Sequence, residues 1–462
     1  MMARSVTREQ ESGGGNAAAG ARSRRAVVLG LGVTGLSVAR YLTGQGWRVL
    51  VADSRETPPG VESLQRDAPG AELVVGSLDV DLPGDIDQLI VSPGLPQDLP
   101  VIREARRRGV DVVGDIELFA RVAKHPVAAV TGSNGKSTVT TMVAAAAVRA
   151  GRQMPAGGNL GTPALNLLDM PAEGYLLELS SFQLELTESL RPRVAAVLNI
   201  SVDHIDRHGS LDAYAAAKAK ILMNAECAVL NRCDPLVMAM ARPRRSVVTF
   251  GGDVPSSESD YGVVESNGRK WLARGEDRLM PADEIGVPGA HNLLNALAAI
   301  AIADRMGISG EPLLAALRAY RGLPHRTQVV AEVDGIRWID DSKATNIGAA
   351  IAAITGMESP LVLIAGGEGK GADFEPLAEA VRGKARAVVL LGRDAPLLAD
   401  AIGSGTPWEI VSCMEDAVAA ARKVARTGDI VLLSPACASL DMFTNYAARG
   451  EAFRLAVLGA RP

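Results

Sequence analysis

A chain of 462 residues has room for about three domains, and with 47% apolar but only 3% aromatic residues its cores must be filled by Ala, Val, Leu and Ile, as in α/β proteins. A formal charge of −5 offers no positive footprint for nucleic acid or an anionic membrane, so neither is an expected partner and any phosphate ligand must be held by local cations. Four cysteines without C-x-x-C spacing argue against a cysteine metal site, and the lack of an apolar span or signal-peptide core points to a cytoplasmic protein.

Residues 1–24 are polar, include Gly13-Gly14-Gly15 and show no apolar period, which reads as a disordered leader. From Arg25, AVVLG predicts a buried strand, LGVTG a turn and LSVARYLTGQG a helix whose apolar face holds Leu36, Ala39 and Leu42. A second strand over 48–52 ends at Asp53. Gly30, Gly32 and Gly35 therefore form G-x-G-x-x-G between strand and helix, with an acid after the next strand, a dinucleotide fingerprint. The same geometry holds any nucleotide diphosphate, so it does not select NAD. After a strand over 88–91 and Ser92-Pro93-Gly94, this module closes near Gly114.

The second module opens with VAAVTGSNGKST, residues 127–138. Small apolar residues predict a buried strand, Gly132, Ser133, Asn134 and Gly135 a turn, and Lys136, Ser137 and Thr138 the start of an Ala-rich helix. Amides of the turn and of the helix N-terminus would face an anion, with Lys136 adding a full charge and Ser137 or Thr138 able to hold magnesium. The match to G-x-x-x-x-G-K-[ST] is incomplete, because Val130 stands where the first glycine would be. Polar residues then gather at strand ends: Asn159 in GGNLGTPAL, Glu178 before LSSFQLE, and Asp203, His204 and Asp206 past a strand ending near Asn199. Two carboxylate-bearing strand ends could converge beside the loop as metal ligands and substrate positioners. In LDAYAAAKAKIL, Lys218 and Lys220 read by pattern alone as a solvated face. Further strands, VVTFGG and GRKWLA among them, precede a strongly amphipathic helix in VPGAHNLLNALAAIAIADRMG. There His291 and Asn292 are expected to cap and Asn295 to face a ligand.

From about Gly322, strands over 361–364, 387–391 and 430–433, each followed by Gly or Pro and a helix, predict a second small parallel sheet. Its strand ends carry Asp341, Lys343, Thr345 and Asn346 in DDSKATN, Lys370 in AGGEGKGADF, and Ser434 and Ser439 in LLSPACASLDMF. GGEGKG lacks a following Ser or Thr, so it reads as a lysine-bearing loop that grips a carboxylate.

In order, TGSNGKST, GGNLGTP, LELSSFQLE, DHIDRH, HNLLNALAA, LPHRTQ, DDSKATN, GGEGKGADF and SPACASLDMF resemble the motifs of the Mur ligases over nearly the whole chain from Arg25. The shortened phosphate loop is itself a trait of that family. The resemblance implies an α/β protein of three domains: a Rossmann-like UDP-substrate domain over 25–114, a P-loop ATPase-like domain over 115–322 and a Rossmann-like amino-acid domain over 323–462. It implies ATP-dependent joining of D-glutamate to UDP-N-acetylmuramoyl-L-alanine through an acyl phosphate, in peptidoglycan precursor synthesis, by a monomer.

Carried over residue by residue, the resemblance places ATP on residues 132–138 with Asn295, Arg326 and Asp341. Two magnesium ions fall to Ser137, Thr138, Glu178, His204 and Lys218, the last in the place of the family's carbamylated lysine, with Tyr214 four residues before it. The UDP substrate falls to Leu31, Val33, Thr34, Asp53, Ser54, Arg55, Gly94 and Asn159. D-glutamate and the intermediate fall to Lys343, Thr345, Lys370, Ser439 and Tyr446, where the family often has Phe. Lys136, His204, Lys218 and Lys343 carry the chemistry. The third module is expected to swing closed, since Arg326 and Asp341 must reach a nucleotide held by the second. A ligase for another amino acid or a folylpolyglutamate-type synthetase shares the phosphate loop but not the DDSKATN and SPACASLDMF pair. An NAD-dependent oxidoreductase rests on Gly30, Gly32, Gly35 and Asp53 alone and leaves Lys136 without a role.

Overall fold

Runs such as AVVL and VAAV are apolar on both faces and form strands covered on both sides, as parallel sheets require. A computed structural model describes residues 23–242, 246–287, 289–357 and 359–459, so the leader reading falls outside the described residues through position 22. The first sheet comprises β1 (Arg25–Leu29), β2 (Arg48–Asp53), β3 (Glu72–Val75), β4 (Gln88–Val91) and β5 (Asp111–Val113). All are parallel in the order β3-β2-β1-β4-β5, which puts a switch point between β1 and β4. The following helix, Val33–Gly44, starts sooner than the pattern suggests and buries Val38, Ala39 and Leu42 rather than Leu36. Gly35 permits this early start: a Cβ there would lie 1.8 Å from the Gly30 carbonyl oxygen.

The second sheet contains β6 (Val127–Thr131), β7 (Ala156–Gly158), β8 (Tyr175–Glu178), β9 (Val194–Val197), β10 (Cys227–Asn231), β11 (Ser246–Phe250), β12 (Tyr261–Ser266), β13 (Arg269–Arg274) and β14 (Asp277–Pro281). Its order is β14-β13-β12-β11-β10-β9-β6-β8-β7, parallel from β7 to β12 and antiparallel through β13 and β14. The helix Ala290–Arg305 is not amphipathic in place: every residue from 296 to 303 is buried, because it packs against the helix Lys136–Arg149 as well as the sheet. Alanine makes this possible, since it lets neighbours approach from every side.

The third sheet is β15 (Gln328–Val333), β16 (Ile336–Asp340), β17 (Leu361–Gly366), β18 (Ala385–Leu391), β19 (Trp408–Ile410) and β20 (Ile430–Leu433). The order is β15-β16-β20-β17-β18-β19, parallel except for the antiparallel edge strand β15. One apolar cluster runs without interruption from the first domain into the second, joining Ala26, Val28, Ile116, Phe119, Leu177 and Val197. The third domain buries clusters of its own. Among the described residues no helix is long and apolar enough to cross a membrane.

Candidate active site

β6 lies between β8 and β9, so the phosphate loop at its end is flanked by Glu178 on one side and the segment after Val197 on the other. The turn is pinned by Asn199, whose Oδ1 accepts the Asn134 N–H at 2.8 Å and whose Nδ2 donates to the Asn134 carbonyl at 3.1 Å. Gly135 has φ +85°, and a Cβ there would fall 2.4 Å from Asn295 Oδ1, so only glycine fits beside that amide. Lys136 folds over the turn and donates to the Gly132 and Ser133 carbonyls at 2.9 Å each. Ser137 and Thr138 are buried in the first turn of the helix Lys136–Arg149.

Lys218 corrects the solvated-face reading. It is 2% exposed, donates to the Gly132 carbonyl at 2.9 Å and lies 4.5 Å from the Tyr214 ring centroid. Burial, with Lys136 nearby, lowers its pKa well below that of an ordinary lysine and favours the neutral amine. Lys220 behaves as the pattern suggests, reaching the Glu185 carbonyl at an exposed edge. Glu178 is buried: Oε1 accepts from Asn159 Nδ2 at 2.9 Å, while Oε2 is buried without a partner among the described residues.

His204 adopts φ +54°, sits edge-on to Phe182 and lies 3.6 Å from Asp203 Oδ2. Burial lowers its pKa, which suits a neutral imidazole ligand. Among the described residues no three His, Cys, Asp or Glu side chains cluster tightly enough to hold a metal by themselves. A cation here therefore needs hydroxyl and phosphate oxygens as well. The unpartnered Glu178 oxygen and the buried hydroxyls of Ser137 and Thr138 fit that requirement.

The third domain meets this loop through polar contacts. Arg326 Nη2 donates to Ser137 Oγ at 2.8 Å, and Asn346 exchanges amide hydrogen bonds with Asn134 at 3.2 and 3.3 Å. Asn346 also donates to Asp203 at 3.0 Å, and Lys370 Nζ lies 3.5 Å from the other oxygen of that carboxylate. Between the two domains a cavity of about 320 Å³ is lined by Asn134, Thr138, Asn295, Arg326, Asp341 and Lys343. His291 lines it too and is not a cap: Gly289 takes the N-cap position, and His291 Nδ1 has no partner among the described residues.

Asp341 accepts the Thr327 N–H at 3.1 Å and the Ser434 hydroxyl at 2.9 Å, and burial pushes its pKa up to about 7. Burial, with the Arg326 and Lys136 charges, brings Lys343 down to about 8. Lys343 Nζ stands 4.0 Å from the Tyr446 ring centroid. Thr345 follows in the same turn, its N–H bonded to the Lys343 carbonyl at 2.8 Å. Ser439 is buried, and Tyr446 opens the helix Tyr446–Leu458. Asn199, with its loop-pinning amide, carries no local sequence signal for that role. Arg449 also escaped the sequence reading: it is 1% exposed and donates to the Ser342 and Cys437 carbonyls at 2.8 and 3.1 Å.

In the first domain a separate cavity of about 340 Å³ at the switch point is lined by Gly30, Gly32, Val33, Thr34, Asp53, Ser54, Arg55 and Gly94. Leu31 does not line it. Its side chain is fully buried and its N–H donates to Asp53 Oδ2 at 2.7 Å. Arg55 binds both oxygens of Asp53 and holds that carboxyl far below the usual carboxylate range. Asn159 sits beside Glu178 in the second domain, the module from which the resemblance has it contribute to the UDP substrate.

A phosphate loop roofed by a third α/β domain, with a cavity of about 320 Å³ between them and a Rossmann-like domain joined to its other side, defines a class of three-domain nucleotide-binding proteins. Family models assign the same architecture: Mur ligase MurD-like, N-terminal domain matches 24–114, Mur ligase middle domain 130–303, and Mur ligase, glutamate ligase domain 325–437. The chain belongs to the Mur ligase family. It is 51% identical over 434 residues to the UDP-N-acetylmuramoylalanine--D-glutamate ligase of Nitrosococcus oceani, covering 93% of this chain and 96% of that one. Identity to the same-named ligase of Pseudomonas putida is 51%, over 94% of this chain and 97% of that one. Among solved structures, UDP-N-acetylmuramate-alanine ligase from Thermotoga maritima shares the fold with a TM-score of 0.59 at 22% identity, over 93% of this chain and 98% of that one. Folylpolyglutamate synthase of Mycobacterium tuberculosis shares it with a TM-score of 0.57 at 18% identity, over 74% of this chain and 93% of that one.

Proposed function

We propose that this protein joins D-glutamate to UDP-N-acetylmuramoyl-L-alanine with ATP, in cytoplasmic peptidoglycan precursor synthesis. The observation that carries the reading is the Arg326–Ser137 contact in a chain half identical to D-glutamate ligases, because it brings the third domain, with Lys343, onto the loop that Lys136, Lys218 and Glu178 already surround. On this reading the UDP moiety occupies the switch-point crevice of residues 25–114, ATP the cavity between 115–322 and 323–462, and D-glutamate the strand ends of 323–462. The proposed active species is a monomer.

The chemical problem is that a carboxylate must attack a triphosphate, anion on anion. Lys136 and Arg326 bring positive charge to the phosphate oxygens, and Asn295 and Asp341 hold the nucleoside. Magnesium held by Ser137, Thr138, Glu178 and His204 would neutralise phosphate charge during the attack. The neutral Lys218 amine adds to CO2 and releases a proton, leaving a carbamate that would hold a second magnesium. After the acyl phosphate forms, Lys343 balances charge on the tetrahedral centre as the D-glutamate amine displaces phosphate. Thr345, Lys370, Ser439 and Tyr446 orient the incoming amino acid.

A phosphate-release assay with UDP-N-acetylmuramoyl-L-alanine, ATP and a panel of amino acids tests this directly. Release with D-glutamate alone is the expected result. Release with a different amino acid, or without any, would overturn the assignment.

A further inference from the structure

Asp394 precedes the helix Ala395–Ile402, the position where an aspartate ordinarily accepts a hydrogen bond from an amide of its own first turn. It makes no such bond. Its Oδ2 instead accepts the Gly369 N–H at 2.6 Å, while its own N–H donates to the Gly367 carbonyl at 3.0 Å. Gly369 is followed by Lys370, which sits at φ +55° and reaches Asp203 of the second domain. A non-glycine residue in the left-handed region persists only where its surroundings over-determine it. The Asp394 carboxylate supplies one of those determinants.

The same turn governs the neighbouring loop. The Arg393 N–H donates to Asp441 Oδ2 at 2.8 Å, and its guanidinium donates to Glu368 Oε1 at 2.7 Å. Glu368 and Ala438 exchange backbone hydrogen bonds at 3.0 and 2.9 Å, which places Ser439 directly after a bridged residue. Residues 392–394 thus clamp both the loop that presents Lys370 and the loop that presents Ser439.

We infer that Asp394 is a positioning residue for the amino-acid substrate: by holding the Gly369 amide it fixes the backbone that aims Lys370 at the substrate carboxylate. The inference rests on the proposed reaction, in which Lys370 contacts D-glutamate. Asp394→Ser leaves a residue that suits the N-cap position but is too short to reach Gly369. It should raise the KM for D-glutamate by about 10-fold or more while the KM for ATP and the thermal midpoint stay near wild type. The isosteric Asp394→Asn retains a weaker acceptor and should raise the D-glutamate KM by only about 2- to 5-fold.

In a Lys370→Ala background, adding Asp394→Ser should change the D-glutamate KM less than about 2-fold, because both changes act through one contact. A D-glutamate KM unaltered in both single variants, equal rises in the KM for ATP and D-glutamate, or full additivity in the double variant would each overturn the inference. A wild-type protein inactive with D-glutamate would overturn the reaction itself, and the inference with it.

Discussion

Arg326, from the third domain, donates through Nη2 to Ser137 Oγ at the N-terminus of the phosphate-loop helix, 2.8 Å away. One guanidinium thus carries positive charge across a domain boundary to the place where a triphosphate is proposed to lie. Arg326→Ala should raise the KM for ATP by about 10- to 100-fold, the range for losing a charged hydrogen bond. Small-angle scattering provides a second check. The wild-type radius of gyration should fall when ATP and both substrates are added, and the variant should show a smaller change. Equal ATP kinetics in the two proteins would refute this role.

Lys218 is buried beside Tyr214 and Gly132, and among the described residues no carboxylate is bonded to it. Lys218→Ala should reduce kcat by about 10²- to 10³-fold while ATP still binds, as expected for the loss of an electrostatic element of the site. Wild-type activity should fall in buffers stripped of CO2 and return with bicarbonate, and labelled bicarbonate should give a carbamate carbon signal absent from the variant. Full activity in Lys218→Ala would remove the carbamate from the mechanism.

Asp341 and Lys343 titrate close to neutrality, at about 7 and about 8 in the free protein. The Asp341 carboxylate exists above its pKa and the Lys343 ammonium below its own. The profile of kcat/KM for ATP should therefore rise with pH through 7 and fall above 8. Lys343→Arg should carry the alkaline limb upward, because arginine stays charged. A flat profile between pH 6 and 9, with no limb moved in Lys343→Arg, would count against both assignments.

Asp115 lies where the first two domains join. It is 2% exposed, its Oδ2 accepts from Gln183 Nε2 at 3.3 Å, its Oδ1 has no partner, and burial pushes its pKa up to about 6. The folded value exceeds the unfolded one for an acid, so stability is lost as pH rises from about 4 through 6 and stays lower above that. Asp115→Asn should be more stable than wild type at pH 8, by up to about 3 kcal/mol, with no advantage at pH 4. Urea titrations at the two pH values decide it.

The phosphate loop was legible because strand, glycine turn, lysine and helix are contiguous in the chain. Convergence of Glu178 with the segment around His204 was legible only as strand-end polarity; its cause is the placing of β6 between β8 and β9, which no local pattern encodes. The Ala-rich helix Leu211–Ala219 hides which lysine is buried, and only the family resemblance separated Lys218 from Lys220. Asn199 and Asp394 act through hydrogen bonds to residues distant in sequence, so nothing beside them in the chain announces their work. The helix Ala290–Arg305 looked two-faced because its polar residues cluster at its ends, while the Ala-rich middle accepts neighbours all round.

The apolar cluster that runs unbroken from Ala26 and Val28 to Leu177 and Val197 has a consequence for substrate choice. It joins the switch-point crevice and the phosphate loop through one continuous core, so on the proposed function the span between them would work as a ruler. On that proposal, a nucleotide-linked acid anchored by its uridine end would be selected by its own length, and analogues longer or shorter by one amino acid should be poor substrates. The third domain, with separate cores of its own, is the part proposed to adjust, on the side of the incoming amino acid.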